Sequence, residues 1–246
     1  RRGRGTGGLE YGGLAVVAVL AVGVLGSFGP AAAAEHTRSG ACGRFGSGCG
    51  TEAVLSETRL GRTALQWVED NGVQVIYRAG GASYYDGDAH AFYIDTNQSP
   101  EERANTFVHE VNHAEHHDAD IGDLGREEFV ERSIDEEVEG TVEAIQNNRQ
   151  LQRNRGGNGP DTLLQREYED AYDDAVTKAR RARSELGLPA LDDETARRAG
   201  ERAGRERVEQ AFANGEVVSS LDGDTYAENY GEAWDDAHNC LLRIFC

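Results

Sequence analysis

The chain has 246 residues, 28% of them charged, and a formal net charge of −19. At about 100–200 residues per domain this is one large or two small domains, with enough chain for a sizeable core. The acidity argues against a nucleic-acid partner, which needs clustered cations, and the lack of a second apolar run near ~20 residues excludes a multi-span membrane protein.

Residues 1–34 read as a signal peptide. Arg1, Arg2 and Arg4 give a positive start, Leu14 to Leu25 an apolar core, and Ala32-Ala33-Ala34 a small-residue cleavage site. The alternative is an N-terminal membrane anchor, for which the apolar run is short and ends at Gly29-Pro30. The expected location is therefore secreted and extracellular, or membrane-anchored facing outside. The chain contains no Met and is read as a fragment or processed form. Residues 35–55 are a Gly/Ser-rich leader, expected to be flexible or ordered by a disulfide. Cys42, Cys49, Cys240 and Cys246 suit an oxidising compartment, and all three of their pairings stay open. Their spacing argues against a structural zinc site.

The core is expected over residues 56–155. Leu60, Ala64, Leu65 and Val68 share one face of a helix over 56–71, which Asn71-Gly72 stops. Residues 73–78 (VQVIYR) and 90–95 (HAFYID) read as strands, with a loop around Gly80-Gly81 and Asp86-Gly87 between them. Ser99-Pro100-Glu101-Glu102 opens a helix that runs to about Asp118: a capping Ser, Pro at the first position, acids in the first turn. A long helix follows from about Arg126 to Arg153. Residues 156–161 form a linker within Asn-Arg-Gly-Gly-Asn-Gly-Pro-Asp at 154–161. The C-terminal region, 162–246, carries three helices, over 162–186, 192–213 and 222–239. The fold class is α+β, mostly helical with a small sheet before the helix that Ser99 opens.

The helix that Ser99 opens carries the chemistry. His109-Glu110-Val111-Asn112-His113 is an H-E-x-x-H sequence. On a helix His109 and His113 lie about 40° apart, one turn up the same face, so two imidazoles can converge on one metal ion. Glu110 lies about 60° from His113, placed to reach a water on that ion without ligating it. Zinc lowers the pKa of such a water to ~7, and Glu110 is the candidate general base. Phe107, Val108 and Val111 give the helix an apolar backing.

The stretch Val73 to Leu151, 79 of the 246 residues, resembles the zincin-like metallopeptidases, in particular their gluzincin branch. The resemblance implies a sheet, the H-E-x-x-H helix and then a second helix that supplies a Glu as third zinc ligand. Glu137-Val138-Glu139-Gly140-Thr141-Val142-Glu143-Ala144 looks like the E-x-E-A-N-x-F-A pattern of metallopeptidases that cleave phage-type repressors, with Gly140, Thr141 and Glu143 departing from it. Ile134, Val138, Val142 and Ile145 mark the buried face of this helix, centred near 35° from Ile134, with Glu137 at about −60° and Glu139 at about 140°. Glu137 is thus the boundary residue, and it precedes a small residue by three as the ligand does in related gluzincins. It is the chosen third ligand, with Glu139 and Glu136 as alternatives. His116 lies too far along the same rod to complete the set, and His116 and His117 are read as solvent or supporting residues. Tyr84, Tyr85, Tyr226, Tyr230 and His238 are possible oxyanion donors, left out of the site because aromatic residues in such places more often pack.

The expected function is a secreted metallopeptidase holding one zinc on His109, His113 and Glu137. It would hydrolyse a peptide or protein substrate by a metal-activated water, with Glu110 as base. The alternative is a non-catalytic secreted helical binding module with a structural or vestigial metal site. No nucleic-acid partner is expected, nor a membrane partner beyond the possible N-terminal anchor.

Overall fold

A computed structural model describes residues 22–23, 49–116, 124–219 and 222–242, with side chains for 50–116, 124–219 and 222–238. Apart from residues 22–23, the expected signal segment lies outside the described residues, and so do all four cysteine side chains and their pairing. The chain order is β1 (Val22–Gly23), α1 (Cys49–Leu55), α2 (Arg59–Asn71), β2 (Gln74–Arg78), β3 (Tyr84–Asp86) and β4 (Ala91–Asp95). Then come α3 (Pro100–His116), α4 (Arg126–Asn154), α5 (Leu163–Glu185), α6 (Asp193–Ala213), β5 (Val218–Ser219) and α7 (Tyr226–Leu242). The fold is mostly helical α+β with a three-stranded sheet before α3. No helix among the described residues is long and apolar enough to cross a membrane.

Local chemistry sets most of these boundaries. Thr58 caps α2 by accepting from the Gly61 N–H, and Gly72, at φ 68°, ends it in the left-handed conformation that costs glycine nothing. Ser99 and Glu102 form a capping box at α3: Ser99 Oγ accepts from the Glu102 N–H, and Glu102 Oε2 accepts from the Ser99 N–H at 2.8 Å. Thr225 and Glu228 do the same for α7.

The leader reading of 35–55 needs correction at its end. Residues 49–55 form α1, with Val54 and Leu55 buried. The 80–90 loop also contains a strand, β3. In the sheet β4 is central, pairing parallel with β2 and antiparallel with β3. Tyr85, Phe92 and Ile94 turn inward, and Phe92 meets Phe107 of α3 edge-on at 5.5 Å between ring centroids.

α4 is buried on two faces. Val138, Val142 and Ile145 pack with Leu164, Tyr168, Val208 and Phe212 of the helices beyond the linker. A second, more polar stripe, including Ser133, Glu137, Gly140, Thr141 and Asn147, is also buried. Asn147 on this stripe accepts from Thr58 Oγ1 and donates to Asn105 Oδ1, tying α4 to α2 and α3. α5 and α6 pack closely because Gly200 and Gly204 leave room for the rings of Tyr172 and Tyr168.

Candidate metal centre

Seven consecutive residues of α3, Phe107 to His113, are buried, because the helix is covered by the sheet on one side and by α4 on the other. His109 and His113 leave one face one turn apart and meet Glu137 from the polar stripe of α4. His109 Nε2 lies 2.9 Å from His113 Nε2 and 3.3 Å from Glu137 Oε2, and His113 Nε2 lies 3.6 Å from Glu137 Oε1. Ligands of a tetrahedral zinc at ~2.0–2.1 Å sit about 3.4 Å from one another, which these distances bracket. The three side chains are a group that could hold a metal ion. Donor chemistry fits as well: two imidazoles and one carboxylate suit a borderline divalent cation.

Glu136 lies outside that group. Its Oε1 accepts from His113 Nδ1–H at 2.6 Å, which leaves the Nε2 lone pair of His113 directed at the cluster. Glu139 is exposed and points away. His116 is exposed and donates from Nδ1 to the Asn112 carbonyl. His117 lies outside the described residues.

Two residues left out at the sequence level belong to this site. Tyr230 of α7 is buried, and its hydroxyl donates to Glu137 Oε1. Tyr226, one turn earlier, is 4% exposed, and among the described residues its hydroxyl has no hydrogen-bond partner. Burial and the charges of Glu137 and Glu110 hold the Tyr226 phenol well above its ordinary pKa. Only the spacing Tyr226–Tyr230, one helical turn, hinted at this pair. The other candidate donors are engaged elsewhere: Tyr85 with His90, Tyr84 stacked on Tyr93, and His238 stacked on Trp234.

Glu110 is fully buried, and among the described residues no side chain hydrogen-bonds its carboxylate, the backbone of Tyr85 being its hydrogen-bonding neighbour. Burial pushes its pKa up to about 8, against the pull of the His113 ring. Burial likewise opposes charge on Glu137, but His113 and His109 hold that carboxyl well below the usual range. Desolvation lowers the pKa of His109, whereas Glu137 and Glu136 together outweigh burial at His113 and raise it. The cluster without metal is thus an anion, Glu137, sharing a proton through His113, and a divalent cation would take that proton's place.

Gly140 follows Glu137 by one turn, and a Cβ there would sit 2.9 Å from His109 Nε2 and 3.0 Å from Cδ2 and Cε1 of the same ring. The glycine is what admits the imidazole. Gly140→Ala therefore displaces His109 and weakens divalent-metal affinity by an expected factor of ten or more, read by competition with a chromogenic chelator. Unchanged affinity would mean that the ring has slack the contacts do not show.

No family model, curated protein or solved structure matches this chain.

Proposed function

We propose that the protein is a secreted zinc-dependent metallopeptidase, with His109, His113 and Glu137 as ligands and Glu110 as general base. The observation that carries this reading is a three-ligand group with a buried carboxylate, held by no side chain among the described residues, on the helix of the two histidines and one residue from the first of them. Three protein ligands leave a position for water or substrate, the pattern of catalytic rather than structural zinc. Zinc, when bound, lowers the pKa of a coordinated water and polarises the scissile carbonyl.

The chain's own groups do the rest. Glu110, raised in pKa yet drawn towards ionisation by neighbouring positive charge, takes the proton of the attacking water and delivers it to the leaving amine. Glu136 fixes the His113 tautomer, and Tyr230 fixes the Glu137 carboxylate. Tyr226, with an uncommitted phenol, is available to donate to the developing oxyanion.

The complete burial of all four side chains favours a second reading, a binding module with a structural metal. One experiment separates them. The protein is loaded with zinc, exchanged into metal-free buffer, assayed for zinc per chain and incubated with a mixed peptide library. The peptidase reading expects about one zinc per chain, the stoichiometry of a single site. It also expects cleavage that a chelator abolishes and added zinc restores. Retained zinc without cleavage supports the module, and folded protein that keeps no zinc overturns both.

A further inference from the structure

A second site lies on the opposite side of α4. Gln146, Arg149, Gln150 and Arg153 repeat at helical spacing, about 180° round the helix from Glu137. With Arg59 at the start of α2 and Arg197 on α6 they line a cavity of about 340 Å³. Four guanidiniums therefore face one cavity in a chain whose net charge is −19. The field of such a protein repels anions in general, so an anion site has to be built from local cations.

This one is built. Arg149 is held by the rings of Tyr172 and Tyr168, 4.5 and 5.4 Å from their centroids, and by Glu169 at 3.3 Å. Glu201, the acidic residue of the lining, is engaged by Arg197 at 2.6 Å, and Arg197 spends its other guanidinium nitrogens on Glu194 at 2.7 and 3.0 Å. Gln150 Oε1 accepts from the Arg59 N–H at 2.9 Å, so the end of that side chain left free is its NH₂ donor. Among the described residues neither Arg59 nor Arg153 has an acidic partner. The positive end of the α2 dipole lies at the same place, since the helix begins at Arg59.

The guanidiniums of Arg59 and Arg153 and the Gln150 amide are therefore the donors left to a ligand, and guanidinium forks match tetrahedral oxyanions in bidentate fashion. We propose that this cavity binds a small molecule carrying a phosphate group. The volume exceeds that of the oxyanion alone and leaves space for an organic part beside Tyr172. The site is independent of the metal centre and of the peptidase reading.

The test is calorimetric titration of the full, metal-free chain at constant ionic strength with sodium phosphate, sodium pyrophosphate and adenosine 5′-monophosphate. Saturable binding is expected, weakened tenfold or more in the Arg59→Gln/Arg153→Gln double variant. Both positions are exposed, so the variant should melt as the parent does, and Arg132→Gln, on α4 outside the cavity, should bind as the parent does. Tighter binding of the nucleotide than of inorganic phosphate identifies a phosphate ester as the ligand; the reverse identifies the free oxyanion. Citrate binding as tightly as any phosphate, equal losses in the Arg132 control, or no saturation below about 10 mM would overturn the proposal.

Discussion

Glu110→Gln is expected to keep its zinc and to lose about 10²–10⁴-fold in peptide hydrolysis, the range that a positioned general base supplies. The amide has nearly the same shape, so His109 and His113, to either side of it on α3, keep their positions. It cannot accept a proton, so the loss falls on kcat rather than on zinc content. A second readout comes from the stability of the metal-free protein. In the unfolded chain Glu110 titrates near 4.5, and in the fold it keeps its proton up to about 8. Between those values the unfolded state binds fewer protons than the native state, so this residue costs stability as pH rises from 4.5 to 8. Replacing it with neutral Gln removes that cost. The variant's melting temperature should therefore exceed the parent's at pH 8, and the difference should shrink towards pH 4.5. Activity within tenfold of the parent would remove Glu110 from the chemistry, and a melting difference independent of pH would mean that its carboxyl is solvated.

The parts of this site differ in how far the sequence reveals them, and the reason is geometric. His109, Glu110 and His113 sit within one turn and a half of one helix, whose start is encoded by Ser99, Pro100 and Glu102, so their mutual placement follows from local rules. Glu137 is harder. Its helix has an apolar face, Val138, Val142 and Ile145, that packs on α5 to α7, and a wheel drawn on those residues leaves Glu137 at the margin. The helix is in fact central, and its polar stripe is buried too; a stripe of Ser133, Glu137, Thr141 and Asn147 has the composition of a solvated face. Glu136 shows the converse: on the wheel it points outward, yet its long side chain reaches His113 with only 26% of its surface exposed. Tyr230 meets Glu137 across 93 positions of sequence, a contact that depends on how α7 docks against α4 and that no local pattern encodes. β3 escapes for a different reason, being three residues long between two turn signals.

Glu137→Ala is expected to abolish the stabilisation that zinc gives the parent. A ligand present at 1,000 times its Kd adds about 4 kcal/mol to the folded state. In a chain of this size that raises Tm by roughly 8–16 °C. The variant keeps two imidazoles and no anion, and a two-ligand site holds zinc too weakly to produce such a shift. Alanine also strands two groups: the Tyr230 hydroxyl loses its acceptor, and His113 loses the charge that raises its pKa. The metal-free variant should therefore melt below the parent, by the equivalent of about 1–3 kcal/mol for an unsatisfied buried donor. Glu139→Ala is the control. That carboxylate is exposed two residues away, so the same substitution should change stability by no more than about 0.5 kcal/mol and leave the zinc response intact. Glu136→Gln falls between the two: the His113 tautomer is held less firmly, and zinc affinity should drop about 10–100-fold without vanishing. If Glu139→Ala rather than Glu137→Ala removed the zinc response, the ligand set would have to be redrawn around the exposed face of α4. The burial of Glu137 between two imidazoles and a phenol would then need another explanation.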